Sequence, residues 1–242
     1  RDYTTLTVSP AENLWFSLTP LISFAIGFYI LIFSLQSKKT SNKIIGSILF
    51  LISIALIYYY YINQTETKFS ITPQKFQHFN PFFIVILTPV AIGIFNLLGK
   101  MGKEPSAPKK IGIGMIIAAI GFIILMFASF GLKSPSELAG NVSDVTVSPN
   151  WLISTYFVLT ISELFISPMG ISFVSRVAPP KYKGLMQGGW FAATATGNYL
   201  VSVMGIFWDK LPLYLFWAIL FICCILSAIF IFSILKKLER II

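Results

Sequence analysis

Charge is scarce in this sequence. Only 11% of its 242 residues are Asp, Glu, Lys or Arg, against roughly 25% in an average soluble domain. Hydrophobic residues make up 56% of the chain and the mean hydropathy is +0.80. A chain with so little to offer water reads as an integral membrane protein. Histidine is scarcer still: His78 is the only one, which excludes a metal site built on a His pair and leaves an interface or loop histidine. The two cysteines, Cys223 and Cys224, are adjacent in an apolar run. Neighbouring side chains on a helix point about 100° apart, and the pair has no metal or redox spacing, so both read as packing residues. No basic segment followed by a short apolar core and a small-residue cleavage site opens the chain, which starts on Arg1; the expectation is a piece of a longer protein. The net charge of +9 would point to nucleic acid only if the basic residues crowded onto one solvated domain. They lie in short loops between apolar runs, so no nucleic-acid partner is expected.

What the sequence does have is long apolar runs. A bilayer core about 30 Å thick takes about 20 residues of helix, and seven runs qualify, near residues 13–36, 44–63, 81–99, 111–132, 150–175, 185–208 and 212–235. Unsatisfied backbone groups are costly in hydrocarbon, and the alternating polarity of a barrel strand is missing, so all seven read as helices. Lys and Arg collect in cytoplasmic loops. One side holds Lys38, Lys39, Lys43, Lys100, Lys103, Lys109, Lys110, Arg176, Lys181, Lys183, Lys236, Lys237 and Arg240, which is 13 of the 18 basic residues. The N-terminus is therefore expected outside and the C-terminus in the cytoplasm of a plasma (inner) membrane. Tyr58 to Tyr61, Trp151 and Trp208 fall at outer span ends, where amphipathic rings favour the interface.

Of the nine acidic residues only Glu163 falls inside a span. A carboxylate at that depth costs at least about 2.5 kcal/mol and normally faces a watery cavity or a partner. Tyr156, Thr160, Glu163 and Ser167 follow at helical spacing and share one face. In the next span Gln187, Trp190, Thr194 and Asn198 do the same. Two polar stripes on consecutive helices can line a cavity, or merely hydrogen-bond neighbouring helices. Membrane hydrolases and transferases need a nucleophile with a base, a carboxylate pair or a metal. One carboxylate without a histidine supplies none of these, so neither an enzyme nor a cofactor is expected. Asn80 precedes Pro81, where a proline suits a first helical turn, and Pro89 loosens the same span in its middle.

Two stretches carry a resemblance. "NPFFIVILTPVAIGIFNLLGKMGKEPSAPKKIGIGM" resembles the eighth and ninth helices, and "SELFISPMGISFVSRVAPPKYKGLMQGGWF" the tenth and eleventh, of the proton-dependent oligopeptide transporters, a branch of the major facilitator superfamily. The Asn-Pro pair, the Glu-Pro-Ser-x-Pro loop, the Glu-Leu-x-x-Ser-Pro-x-Gly run and the Met and Trp after the Ala-Pro loop come in the family's order, across residues 71–242. The resemblance implies a substrate pocket in which Glu163 meets the amino end of a peptide and takes part in proton coupling. Ser167 would stand beside it, Asn80 would bond the peptide backbone and Trp190 would line the wall, with Tyr156, Thr160, Gln187, Thr194 and Asn198 as further lining residues. It also implies the C-terminal part of a major facilitator fold: the family's helices eight to twelve at 71–242, preceded at 1–70 by an inserted helix pair. The implied function is proton-coupled symport of di- and tripeptides, with peptides, protons, the bilayer and the missing N-terminal half as partners. The alternatives are a related carrier of another small solute, amino-acid-like or anionic, and a non-transporting scaffold.

Overall fold

The computed structural model describes residues 3, 14, 16–63, 73–138, 141 and 143–240. Seven long helices occur where the apolar runs predict them: α1 (Leu18–Gln36), α2 (Thr40–Ile62), α4 (Phe79–Lys100), α5 (Ala107–Ala128), α7 (Asn150–Val177), α8 (Lys183–Gly205) and α9 (Leu213–Glu239). Two short helices, α3 (Pro73–Gln77) and α6 (Pro135–Leu138), and a 3-10 turn at Pro180–Tyr182 lie between them. Among the described residues six helices are long and apolar enough to cross a membrane. The seventh, α8, has the length, with 23 residues, but its Gly, Thr and amide side chains make it the least apolar of the set. The protein is a multi-pass membrane protein.

The chain forms two compact units, Tyr3–Val90 and Ala91–Ile242. The division falls inside α4, between Val90 and Ala91, one residue beyond Pro89, the proline in the interior of that helix. The boundary expected at residues 70 and 71 lies outside the described residues.

In the first unit α1 and α2 form an antiparallel hairpin. Gly27 faces Ser53 and Gly46 faces Ser34, so closely that a methyl group at either glycine would overlap the serine. Small residues opposed in this way let two membrane helices approach until their backbones nearly touch. Tyr60 donates its hydroxyl to Ser17 Oγ at 3.1 Å across the open end. Phe16 stands edge-on to Phe76 at 5.3 Å and to Phe79 at 5.6 Å, and Phe79 is fully buried, which holds the start of α4 against this aromatic cluster.

In the second unit α5 is the middle helix, and small residues make it so. On one side Gly112 receives Phe232 of α9; on the other Gly114 receives Ile166 and Gly121 receives Leu159, both of α7. Trp217 of α9 stacks on Phe122 of α5, centroids 6.4 Å apart. At the expected outer end Trp208 stands edge-on to Phe216 and Trp217 at 5.1 and 5.7 Å, an aromatic cluster of the kind the interface favours. At the other end α4 closes with a Schellman motif: Gly102, at φ 65°, donates to Gly99 O, and Lys103 to Leu98 O. A residue with a side chain pays strain at that φ.

Candidate functional site

The rotation of α7 about its own axis decides what Glu163 can reach. Ser162 is buried and donates its hydroxyl to Gly114 O of α5 at 2.7 Å. Phe165 of α7 meanwhile packs edge-on against Phe95 of α4, centroids 5.1 Å apart. These anchors turn Glu163, about 100° round the helix from Ser162, away from α5. Glu163 is exposed, and so is Ser167 one turn on. Pro168 follows Ser167 inside α7 and removes the donor that would serve Leu164 O, which loosens the helix beside these two side chains.

Gly170 continues the face of Glu163 and Ser167. It is buried beneath the indole of Trp190 from α8, which occupies the space a Cβ would need. The structure therefore brings Trp190 onto the same face of α7 as the carboxylate. Gly170 was not among the sequence-derived site residues, although its spacing of seven from Glu163 carries the signal.

Other expected lining residues behave differently. Tyr156 is half-buried. Thr160 is fully buried at 0% exposure and donates to Tyr156 O at 2.7 Å, so it does not line open space as its spacing predicts; Thr155 and Ser162, also buried, show that this side of α7 is a packing face. Gln187 is half-buried. Its amide donates to Ile171 O and Ser175 Oγ, each at 3.0 Å, which ties α8 to α7. Thr194 is exposed, with its hydroxyl donated to Trp190 O at 3.0 Å. Asn198 is exposed. Asn80 is half-buried in the first turn of α4, just before Pro81; it belongs to the first unit, while the α7 and α8 residues belong to the second. His78 sits in the turn between α3 and α4 beside Leu18, Leu21, Ile22, Pro81 and Phe82, in an apolar groove.

A cluster at the other end of the second unit escaped the sequence reading, which treated these residues as loop charges. Lys110, in the first turn of α5, is only 4% exposed. Its ammonium is paired with Glu104 and lies 4.0 Å from the centre of the Phe95 ring. Ser106 donates to Glu239 of α9 at 2.5 Å. The Glu-Pro-Ser-x-Pro loop thereby fastens the ends of α4, α5 and α9 together.

Comparison with known proteins bears on these features. A family model described as "POT family" matches residues 27–214. The match begins inside α1, so the likeness reaches further back than residues 71–242. The peptide transporter YePEPT of Yersinia enterocolitica is 30% identical over 73% of this chain and 36% of its own length. Dipeptide and tripeptide permease A of Escherichia coli is 34% identical over 57% of this chain and 26% of its own. The chain thus spans about a third of the length of such relatives. In fold it matches a crystal structure of the peptide transporter POT in complex with sulfate, with a TM-score of 0.61, 21% identity and coverage of 98% of this chain and 43% of that one. With helices of membrane length, the ordered motifs on α4, α5, α7 and α8, and a family model matching well over half of its residues, the chain belongs to the POT family.

Proposed function

We propose that the chain is the C-terminal part of a proton-coupled symporter of di- and tripeptides in the plasma membrane. Its N-terminus would face outside and its C-terminus the cytoplasm, and it would work with an N-terminal half not included in these residues. Residues 71–242 would supply helices eight to twelve and residues 1–70 an inserted hairpin. The observation that carries the reading is Glu163: a carboxylate within a membrane-length helix, exposed beside Ser167, with Trp190 seated on the same face. A carboxylate so placed attracts an ammonium group of opposite charge. Asn80 would contact the peptide backbone and Trp190 form the wall. Relatives that match this chain are peptide transporters and permeases, which supports the substrate class.

The test uses the full-length transporter in vesicles with an inward proton gradient. Glu163→Gln should reduce gradient-driven dipeptide uptake at least tenfold; uptake equal to wild type would refute the role. A second reading, carriage of an amino-acid-like solute, is favoured by a POT family transporter solved in complex with 5-aminolevulinic acid. Competition between dipeptides and that solute for uptake separates the two.

A further inference from the structure

At one end of the α1–α2 hairpin, charge of one sign gathers. Ser37, Lys38 and Lys39 alone separate the two helices, and Lys43 follows in the first turn of α2. All three lysines are exposed. The described residues of this unit contain no Asp or Glu, and their one other lysine, Lys75, lies in α3, beside the Phe76 that packs on Phe16 at the opposite end of α1. The turn is held in one shape: Ser37 Oγ accepts from Asn42 Nδ2 at 2.9 Å and from the Lys39 N–H at 3.3 Å. Large apolar side chains begin immediately beside it. Leu35 is 54% exposed on α1, and Ile44 and Ile45 are 56% and 55% exposed on α2.

In a hairpin of membrane-spanning helices those apolar residues face acyl chains. The hydrocarbon edge then falls at the turn itself, and the three ammonium groups stand at the depth of lipid phosphates. The geometry points to this hairpin tip as a docking surface for anionic phospholipid, whose phosphodiester headgroups sit among Lys38, Lys39 and Lys43 while the acyl chains lie along Leu35, Ile44 and Ile45. A free phosphate ion would satisfy the lysines but not the apolar rim, which is why the occupant is a lipid. The inference needs only that α1 and α2 span a bilayer, so it stands apart from the peptide-transport reading and from which face is cytoplasmic. It gives the hairpin a task of its own, as a headgroup-anchored element.

Each lysine near an anionic surface adds about 1 kcal/mol, or roughly fivefold in preference, and three together give on the order of 100-fold at low ionic strength. The experiment places the full-length transporter in phosphatidylcholine nanodiscs carrying a small fraction of a photoactivatable lipid, either phosphatidylglycerol or phosphatidylcholine, and maps the cross-linked residues by peptide mass spectrometry. The phosphatidylglycerol probe should label residues 33–48 well above the phosphatidylcholine probe. The triple variant K38Q/K39Q/K43Q should lose that labelling more than tenfold while labelling around Lys236 and Lys237 persists, and K38R/K39R/K43R should retain it. Raising the salt on the wild-type chain, which needs no variant, should erode the preference. Equal labelling by both probes, a preference that survives high salt, labelling that survives the glutamine substitutions, or full displacement by inorganic phosphate at constant ionic strength would each overturn the proposal.

Discussion

The Glu104–Lys110 pair allows a prediction whose magnitude follows from burial. Lys110 has a side chain 5% exposed, whereas that of Glu104 is 44% exposed. Removing one partner of a fully buried pair costs about 3 to 5 kcal/mol, because the remaining charge is left without solvent or counter-ion. An exposed pair is worth only about 0.2 to 1 kcal/mol. In Glu104→Gln the stranded group is the buried one and the lost partner is half-exposed, so a loss of about 2 kcal/mol is expected, between those limits. Lys110→Met is the informative contrast. It removes the buried charge, keeps an apolar chain of similar length against Phe95, and leaves Glu104 free to hydrate, so it should cost well under about 1 kcal/mol. The double variant should match Lys110→Met. Reversible unfolding in mixed micelles, followed by tryptophan fluorescence, measures all four proteins. If Lys110→Met is less stable than Glu104→Gln, or if the two losses simply add, the ammonium is not held by this carboxylate as the burial argument requires.

Two further outcomes follow from α7 and α8 and are read in the full-length transporter. Gly170→Ala forces the Trp190 indole off its seat and should lower dipeptide uptake several-fold; an unchanged rate would mean that the indole position is immaterial. Thr160→Val removes a hydroxyl directed at the helix's own backbone, so uptake should stay within about twofold of wild type, and a tenfold loss would mean that Thr160 reaches the substrate after all.

The helices were legible because hydrocarbon permits so few alternatives: runs such as 212–235 and 111–132 have no other way to satisfy their backbones. Glu163 stood out for a related reason: it is the one acidic residue within a predicted span, and a carboxylate at membrane depth calls for an explanation wherever it faces. Helical spacing was a weaker guide. It put Thr160 on one face with Glu163 and Ser167, yet the contact of Ser162 with Gly114 turns the helix so that Thr160 is covered, and spacing alone holds no record of which neighbour a face meets. Gln187 shows the same limit, its amide bound to Ile171 and Ser175 across the helix pair. Lys110 was hidden for another reason: composition counts a lysine in a loop segment as solvated, and only the fold brings Phe95 and Glu104 around it. The family motifs, by contrast, read through directly, because order along the chain is a property of sequence.

The bare surface of α8 also bears on how the protein is made. This helix has no buried residue, and Gly184, Gly188, Gly189, Gly197 and Gly205 have nothing within 4 Å of where a Cβ would stand. A segment with so many hydroxyls, amides and glycines partitions poorly into lipid when alone. In the full-length transporter α8 is then expected to enter the bilayer together with α7, which Gln187 and Trp190 contact. Substitutions that loosen the α7 contact should then surface first as failed biogenesis, before any question of turnover arises.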